Sequence, residues 1–355
     1  MKKTENDRRN IKLYIEYQFR DGPYGGANQF LKTLRDYLMS RGVYADHAID
    51  ADVVLINHTN ISKETLRVKK EHPEKIFIHR MDGPVSKHRP RAKIFDWHSF
   101  YLDKLLCNGS VFQSTWTKEN CFKLGYKQTG DYAIIHNAPN PQIFAKENQK
   151  GRTPDGKINL VTTSWSPNWN KGFDIIQYLD EHLDYSKYEY TFIGRTPISF
   201  KNITIIEPLA SVELAKELKK HDIFVATSKC ESCSNSLIEA IDCGLAIVAR
   251  DSGCYREITG EGGEIFQKIE ESIPAIKQVA EDLNDYQTKL PYYSIEDIGQ
   301  QYYQFAQCLS NDINGGKIVQ KQFGTGKVFL WNLSVIFIKI YTKCNHWYEK
   351  YILRL

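Results

Sequence analysis

The feature that most constrains the fold is a repeated alternation of short apolar segments with amphipathic helical segments. In the first half of the chain, strands are predicted at residues 11–19, 53–56, 75–79 and 132–135, and helices at residues 27–39 and 114–124. Strands that alternate with helices in this way form parallel sheets that are covered by helices on both faces. The first half therefore predicts a Rossmann-like α/β domain.

A polar break at residues 146–157, KENQKGRTPDGK, separates this alternation from a second one and is typical of a linker. Beyond it, strands are predicted at residues 158–163, 190–193, 223–226 and 246–249, and helices at residues 173–183, 211–220 and 235–243. We expect two doubly wound parallel-sheet domains, residues 1–145 and 158–293, followed by a closing segment, residues 294–355. Ligands of such sheets bind at the carboxyl ends of the strands, in the cleft between the domains.

Composition excludes several classes of function. The net charge of +4 in 355 residues, without a repeated basic-aromatic pattern, argues against a nucleic-acid partner. The polar start of the sequence and its eight cysteines predict a cytoplasmic protein with reduced thiols. No apolar run reaches the roughly 20 residues that cross a bilayer. Cys230 and Cys233 lack a second pair at zinc-site spacing, and no acidic pair of the metal-binding type stands out, so neither a metal nor a cofactor is expected.

One short stretch carries most of the chemical information. Residues 230–244, CESCSNSLIEAIDCG, place Glu231 in the loop after a predicted strand and Glu239 about one turn inside the following helix. A carboxylate accepts two hydrogen bonds from a vicinal diol, which a ribose offers. Glu239 therefore suits the nucleoside end of a ligand, and Glu231 suits the hydroxyls of a sugar beyond the phosphates. Together they predict a nucleotide-sugar site.

The start of the same helix supplies a site for the phosphates. Free backbone N–H groups and the positive end of the helix dipole attract anions. The residues expected to bind the donor there are Cys233, Ser234, Asn235 and Ser236. A structural alternative stays open, because Ser236-x-x-Glu239 also fits a capping box in which Glu239 bonds only to the backbone.

The segment at residues 222–266 resembles a known family. Its two glutamates in an E-x7-E spacing and the sequence EAIDCGLAIVARDSGCYREITGEGGEIF are similar to the donor-site signature of family-4 (group 1) retaining glycosyltransferases of the GT-B fold. The resemblance implies that Glu239 binds the nucleotide ribose and that Glu231 contacts the transferred sugar. It also implies an acceptor domain at residues 1–145, a nucleotide-sugar domain at residues 158–293, and sugar transfer to an acceptor hydroxyl without a metal.

Two further basic residues follow strands of the second domain and are expected to contact the donor. Lys171, in SWSPNWNKGFD, follows a strand and puts a mobile cation near a pyrophosphate. Many family members carry an arginine a few residues earlier, where this sequence has Trp165 and Ser166. Arg195, in FIGRTP, follows another strand and is expected to contact the base or a phosphate. The departure leaves Lys171 as the main cation.

The first domain supplies the other wall of the expected cleft. Gly25 and Gly26 are expected in a turn that lets the backbone approach the donor phosphate and the acceptor. His79 and Asp82, in IFIHRMDGPV, follow a strand at a place where the family often has a histidine near the donor sugar. A structural histidine and an ion pair between Arg80 and Asp82 are the alternatives. The residues expected to act in catalysis are Glu231, Lys171, His79 and Asp82.

The last segment bears on location and on the acceptor. Residues 294–309 are predicted to form a helix that returns to the first domain, and residues 327–355 form a basic, aromatic-rich amphipathic segment. Such a segment either lies in a membrane interface or packs on the first domain. The expected setting is cytoplasmic, with peripheral attachment to the inner face of the membrane in the first case. A sugar or a lipid-linked acceptor is expected, in cell-surface polysaccharide or glycolipid synthesis.

Two alternatives to sugar transfer stay open on the sequence. A non-catalytic subunit of the same fold would bind a nucleotide sugar or a polysaccharide, and a GT-B sugar epimerase would use the same cleft. Release of nucleoside diphosphate separates a transferase from a binding subunit, and analysis of the product sugar identifies an epimerase.

Overall fold

The computed structural model describes residues 10–22, 25–146 and 156–351. Within these ranges the chain forms two α/β domains, each built on a parallel sheet, with a cleft between them. The prediction of two doubly wound parallel sheets is confirmed. The linker predicted at residues 146–157 falls largely outside the described residues.

The described part of the first domain contains a five-stranded parallel sheet with the strand order β1-β2-β3-β4-β5. The strands are Leu13–Glu16 (β1), Val53–Asn57 (β2), Ile76–Met81 (β3), Gly109–Phe112 (β4) and Asp131–Ile134 (β5). The helices are Gly25–Ser40 (α1), Lys63–Glu71 (α2), Val85–His88 (α3), Lys93–Leu106 (α4) and Thr115–Lys123 (α5), with short 3-10 helices at Ala48–Asp50 and Pro90–Ala92. Every residue of β2 and β3 is buried, because helices cover both faces of the sheet.

A change in winding direction fixes the position of the first crevice. Leu13 pairs with Tyr44 on one edge of β1 and with Val53 of β2 on the other. The chain therefore leaves β1 toward one side, through α1, and then continues on the other side through β2 and the later strands. Crevices form where the strand order reverses in this way, at the carboxyl ends of the strands.

The second domain, as described, contains a six-stranded parallel sheet with the order β11-β10-β9-β6-β7-β8. The strands are Ile158–Ser164 (β6), Tyr188–Gly194 (β7), Thr204–Ile206 (β8), Ile223–Ala226 (β9), Ala246–Arg250 (β10) and Gly263–Phe266 (β11). The helices are Phe173–His182 (α6), Ser211–Leu218 (α7), Asn235–Asp242 (α8), Tyr255–Thr259 (α9), Ser272–Glu281 (α10) and Leu283–Thr288 (α11), with 3-10 helices at Trp169–Lys171 and Ile269–Glu271. The order reverses between β6 and β9, so the second crevice lies at the carboxyl ends of these two strands.

Two C-terminal helices pack on the first domain. Ile295–Asn314 (α12) enters its core, where the Tyr302 ring lies against Phe30. Thr325–Tyr351 (α13) packs on α4, where the Trp331 ring stacks on His98 with 4.6 Å between ring centroids. The two helices belong to different core clusters of the sheet, so the last segment covers two faces of the first domain.

The structure corrects some predicted boundaries. Gly25 and Gly26, which were expected in a turn, are the first two residues of α1. Strand β1 ends at Glu16, because the following residues leave the sheet toward the cleft. Strand β8 was not predicted. It lies at the edge of its sheet with partly exposed side chains, so it lacks the continuous apolar run of a buried strand.

Candidate active site

A cavity of about 370 Å³ occupies the cleft between the two domains. From the first domain it is lined by Gly25, Gly26, Ala27, Gln29, Asp82, His88, Gln113 and Asn137. From the second domain it is lined by Thr163, Ser164, Trp165, Lys171, Ile193, Gly194, Pro208, Leu209, Ser211, Leu214, Ser228, Glu231, Ser232, Cys233, Ser234, Asn235, Ser236 and Glu239. The cavity therefore meets both sheets at the carboxyl ends of their strands, where the strand order places a binding crevice.

Most of the residues that the sequence singled out lie in the wall of this cavity. They are Gly25, Gly26, Asp82, Lys171, Glu231, Cys233, Ser234, Asn235, Ser236 and Glu239. His79 and Arg195 are not among the lining residues. The contacts around each side chain decide what it can do there.

The loop between β6 and α6 is held against the end of β9. Lys171 ends the 3-10 helix Trp169–Lys171, and Gly172 follows it with a φ of 83°. A Cβ at Gly172 would lie 2.1 Å from the carbonyl oxygen of Thr227, so only glycine fits there. The Thr227 hydroxyl donates a hydrogen bond of 2.7 Å to the carbonyl of Lys171. This packing fixes the backbone of Lys171 at the crevice.

Lys171 and Glu231 form an ion pair with each other. Nζ of Lys171 lies 2.5 Å from Oε1 of Glu231. Burial acts to raise the pKa of Glu231, but the charge and the hydrogen bond of Lys171 outweigh it and hold this pKa below its usual value. Glu231 is therefore ionised at neutral pH. A ligand that engages Lys171 would leave the Glu231 carboxylate free to accept other hydrogen bonds.

Helix α8 begins at Asn235, with Ser234 as its N-cap. The Ser234 hydroxyl accepts a hydrogen bond of 3.4 Å from the backbone N–H of Leu237. Leu237 is therefore the third residue of the helix, and the alternative of a capping box between Ser236 and Glu239 is wrong. Because Ser234, Asn235 and Ser236 all line the cavity, the positive end of α8 opens into it.

Glu239 presents its carboxylate to the same cavity. Among the residues that the structure describes, neither a hydrogen-bond donor nor a cation pairs with this carboxylate, and burial alone raises its pKa to about 8. A carboxylate that is removed from water without a partner is unfavourable. A ligand that donates hydrogen bonds to Glu239 relieves this cost.

The two domains are in close contact where α8 meets α1. A Cβ at Gly26 would lie 1.9 Å from Nδ2 of Asn235, so only glycine permits this approach. Oδ1 of Asn235 also accepts a hydrogen bond of 2.8 Å from Nδ2 of Asn137, which follows β5. Gly26 is thus required by the contact between the domains, within a helix and not within the turn that the sequence suggested.

His79 lies outside the cavity, contrary to its predicted place near a donor sugar. It belongs to β3, is completely buried, and its Nε2 lies 2.8 Å from the backbone oxygen of His58. Its Nδ1 lies 3.4 Å from Oδ1 of Asp103, without the alignment of a hydrogen bond. The strand continues to Met81, two residues beyond the predicted end, and this extension keeps His79 inside the sheet.

The histidine that lines the cavity is His88, at the end of α3. Its backbone oxygen accepts a hydrogen bond of 2.8 Å from Nδ2 of Asn170 in the second domain. Burial lowers the pKa of His88, the nearby Glu231 opposes that shift, and Lys171 adds to it. The imidazole is therefore neutral at pH 7 and can donate or accept a hydrogen bond in the part of the cavity beside Glu231 and Lys171.

Asp82 is held by a buried polar network. It accepts hydrogen bonds from Nη1 of Arg80 at 2.7 Å, from Nε2 of Gln113 at 2.6 Å and from Nδ2 of Asn57 at 3.1 Å. The fully buried Arg80 also donates to Oδ1 of Asn137 at 2.6 Å. The ion pair between Arg80 and Asp82 is thus present. Through Arg80 it supports Asn137, the side chain of the first domain that donates a hydrogen bond to Asn235.

Arg195 contacts one of the residues that line the cavity. Its guanidinium carbon is 4.2 Å from the centroid of the Trp165 ring, and Trp165 itself lines the cavity. An arginine over an aromatic face is held by a cation–π contact. Arg195 is therefore connected to the cavity wall through Trp165 and does not line the cavity itself.

Three lining residues that the sequence analysis missed follow a strand. Gln113 comes directly after β4, Asn137 comes shortly after β5, and Trp165 comes directly after β6. The rule that ligands bind at the carboxyl ends of parallel strands would have pointed to all three. His88 carries no such signal, because it lies at the end of a four-residue helix that has no apolar periodicity.

Two kinds of feature are absent within the described ranges. No group of three or more His, Cys, Asp or Glu side chains there is arranged to hold a metal ion. Cys233 is a free, buried cysteine whose Sγ accepts a hydrogen bond of 3.3 Å from the backbone N–H of Asn137, and burial raises its pKa to about 12. No helix in the same ranges is long and apolar enough to span a bilayer.

Comparison with known proteins identifies the segment that holds this site. Residues 174–282 match the family model for glycosyl transferases group 1. This segment is a group 1 glycosyltransferase domain. The glycosyltransferase domain so defined contains Glu231, the start of α8 and Glu239, and it begins three residues after Lys171. A comparison with curated protein sequences gives no match.

Solved structures place the glycosyltransferase domain within a larger shared fold. Sucrose-phosphate synthase from Thermosynechococcus elongatus matches with a TM-score of 0.58 at 12% identity, over 86% of this chain and 98% of that chain. HepE from Anabaena, solved with UDP-glucose, matches with a TM-score of 0.57 at 13% identity, over 86% of this chain and 99% of that chain. The pneumococcal O-GlcNAc transferase GtfA, solved with UDP and GlcNAc, matches with a TM-score of 0.54 at 13% identity, over 78% of this chain and 59% of that chain. These likenesses show the GT-B fold.

Proposed function

We propose that this protein is a retaining glycosyltransferase, which moves a sugar from a nucleoside-diphosphate sugar to a hydroxyl of an acceptor. The observation that carries the proposal is the Glu239 carboxylate, which faces the cavity without a partner in the described chain, beside the open end of α8. A vicinal diol supplies the two hydrogen bonds that this carboxylate lacks. The pair of Lys171 and Glu231 lies in the wall of the same cavity.

The diphosphate of the donor is proposed to lie between the start of α8 and Lys171. The first backbone N–H groups of the helix and its dipole favour an anion, and the ammonium of Lys171 adds a mobile charge. Lys171 then exchanges Glu231 for the diphosphate. The freed Glu231 carboxylate accepts hydrogen bonds from the hydroxyls of the transferred sugar. In this way donor binding itself prepares the sugar end of the site.

The transfer step needs stabilisation of the leaving group. The bond between the anomeric carbon and the terminal phosphate oxygen breaks, a bond from the acceptor oxygen to the same carbon forms, and the acceptor proton passes to the departing phosphate. Fixed dipoles and a cation in a site shielded from water stabilise the developing charge. Lys171 and α8 are proposed to supply this stabilisation without a metal ion. The neutral His88 is proposed to orient the sugar by a hydrogen bond.

Properties of the structural neighbours support the choice of donor. HepE is solved with UDP-glucose, GtfA with UDP and GlcNAc, and a starch synthase from Arabidopsis thaliana with ADP and acarbose. The chemical class that these ligands share is a nucleoside diphosphate. We therefore propose a nucleoside-diphosphate sugar as the donor and leave its base and sugar to experiment.

The acceptor is proposed to be a sugar or a lipid-linked sugar in cell-surface polysaccharide or glycolipid synthesis. The proposed location is the cytoplasmic side of a membrane, with peripheral attachment. The basic and aromatic composition of residues 327–355 supports this location.

A donor screen tests the proposed function. UDP, GDP and ADP sugars are incubated with extracts that contain acceptors, and the released nucleoside diphosphate is measured. The expected result is release from one class of donor, with a product whose anomeric configuration matches that of the donor. Donor binding without any release would favour a non-catalytic binding subunit. Conversion of the donor sugar without transfer would favour an epimerase.

A further inference from the structure

Helix α13 has two apolar sides, although only one of them meets the protein. On the inner side, Trp331 is buried against His98 of α4, and Val328 and Val335 pack against the same core cluster. This side alone accounts for the attachment of the helix to the first domain. A helix that is apolar on both sides is normally covered on both.

The other side forms a continuous apolar surface, which we call the outer stripe. Its members are Phe329 (62% exposed), Leu330 (47%), Leu333 (45%), Ile336 (53%), Phe337 (55%) and Ile340 (55%). At 100° per residue these six positions fall within about one third of the helix circumference, opposite Trp331. Single exposed apolar residues are common, but six contiguous ones on one helix face mark a contact surface.

The charged residues of α13 up to residue 344 are all positive. Between residues 325 and 344 the charged residues are Lys327, Lys339 and Lys343, and none is acidic. On α4, which packs against the helix, the acidic residues Asp96 and Asp103 are buried. Within residues 325–344, the outer stripe is thus an apolar surface whose only charged neighbours on its own helix are lysines.

We propose that the outer stripe docks α13 into the interface of a membrane that carries anionic lipids, parallel to its surface. Aromatic and aliphatic side chains enter the boundary between headgroups and acyl chains, and lysines at the border bind the anionic headgroups. A second copy of the chain is a poorer occupant, because it would bring the same lysines face to face.

The docked helix is joined to the candidate active site by one short segment. The Tyr341 hydroxyl donates a hydrogen bond of 2.6 Å to the backbone oxygen of Arg91, in the 3-10 helix Pro90–Ala92. That segment directly follows α3, whose His88 lines the cavity. A lipid-linked acceptor would therefore enter the cleft beside His88. This last step rests on the proposed sugar transfer, whereas the membrane contact deepens the proposed peripheral location and can be tested without sugar transfer.

Co-sedimentation with lipid vesicles tests the docking surface without any donor or acceptor. The purified full chain is mixed with vesicles of phosphatidylglycerol and phosphatidylethanolamine, or of phosphatidylcholine alone. We expect binding to the anionic vesicles that weakens as salt increases. The double variant Leu333→Glu/Phe337→Glu should lose at least about tenfold in vesicle affinity, because it places charge in the apolar interface. Lys339→Gln/Lys343→Gln should lose roughly fivefold per lysine.

A matched control separates the stripe from added charge. Ile205→Glu/Val212→Glu makes the same charge change at two apolar positions of the second domain, 41% and 47% exposed, whereas α13 packs on the first domain. It should bind anionic vesicles like the wild type. Circular dichroism melting of all variants checks that the chain stays folded.

Three results would overturn the proposal. The first is that the folded wild type does not sediment with anionic vesicles. The second is that the Leu333→Glu/Phe337→Glu variant binds the vesicles as well as the wild type does. The third is that gel filtration shows a dimer held by the outer stripe, which this variant dissociates. Because vesicle binding is measured without turnover, none of these results bears on the transfer of a sugar.

Discussion

The two walls of the cleft differ in how their polar side chains are engaged. In the wall from the first domain, Asp82 and Asn137 are held by several hydrogen bonds around the buried Arg80. In the wall from the second domain, Glu239 has no partner in the described chain, and Glu231 is paired with a lysine that itself faces the cavity. The first wall is a preformed support, and the second is where a ligand supplies or replaces partners. Substitutions in the two walls should therefore have different consequences.

The largest expected effect is that of Lys171→Ala in the second wall. Loss of the cation at the proposed leaving group should lower kcat by about 100-fold, the size of one lost charge-stabilising contact. The free energy of unfolding should also fall, by about 1 kcal/mol, because the largely buried Glu231 carboxylate loses its partner. The control is Lys229→Ala, which removes the same charge from an ion pair with Asp174 outside the cavity wall. Equal turnover in the two variants would remove Lys171 from the mechanism.

In the first wall, Asp82→Asn should act on stability. It leaves the buried Arg80 without its carboxylate partner, so the free energy of unfolding should fall by about 2 kcal/mol. Urea titration measures this loss. The control Asp21→Asn breaks an exposed ion pair with Lys32 and should change stability by less than about 0.5 kcal/mol. A stable Asp82→Asn variant with lost donor binding would instead place Asp82 among the ligand contacts.

Glu239→Gln should weaken donor binding by about tenfold and flatten its dependence on pH. The pKa of Glu239 is raised to about 8, so most of the free protein carries a neutral carboxyl at pH 7. Because a diol donates to the ionised form, wild-type affinity should rise by about tenfold from pH 6.5 to pH 8 and then level off. Calorimetry with a nucleoside diphosphate measures both trends. An unchanged pH profile in the variant would contradict the assignment.

The same raised pKa makes a prediction about stability. The unfolded chain loses the proton of Glu239 near its ordinary pKa, and the folded chain keeps it until about pH 8. The contribution of the neutral form to stability is therefore complete at low pH and is lost as pH rises through 8. The stability of Glu239→Gln relative to the wild type, measured by urea unfolding, should therefore be greater at pH 9 than at pH 6. A constant difference between the two proteins would argue against a buried, neutral Glu239.

The smallest expected effect is that of His88→Gln. A glutamine keeps one hydrogen bond of the neutral imidazole, so transfer should slow by roughly threefold to tenfold without loss of stability. His79→Gln changes a completely buried ring and should instead lower the melting temperature. If His79→Gln slowed transfer in a fully stable protein and His88→Gln did not, the assignment of His88 as the histidine that acts in the cavity would be wrong.

The sequence predicted the second wall better than the first for a physical reason. The strand end, loop and helix that hold Glu231, Asn235 and Glu239 lie within 15 residues, so local chemistry and spacing determine their positions. The first wall is assembled from the ends of separate strands, as Gln113 and Asn137 show. Which residues meet there depends on strand order and on where each strand stops. A strand end misplaced by two residues was enough to put His79 in the wrong place.

Two features of the site could not be read from the sequence at all. The ion pair between Lys171 and Glu231 joins residues 60 positions apart through the neighbouring strands β6 and β9. The requirement for glycine at position 26 comes from Asn235 in the other domain and not from a turn. Both depend on tertiary contacts, whereas the capping alternative for Glu239 was decided by one hydrogen bond, from Leu237 to Ser234.

A crystal structure with the nucleoside diphosphate that binds most tightly tests the central claim most directly. The account predicts both ribose hydroxyls within about 3 Å of the Glu239 carboxylate and the diphosphate at the start of α8. It also predicts that Nζ of Lys171 moves from Glu231 to a phosphate oxygen. A ligand bound elsewhere, with the ion pair of Lys171 and Glu231 intact and Glu239 still without a partner, would contradict it.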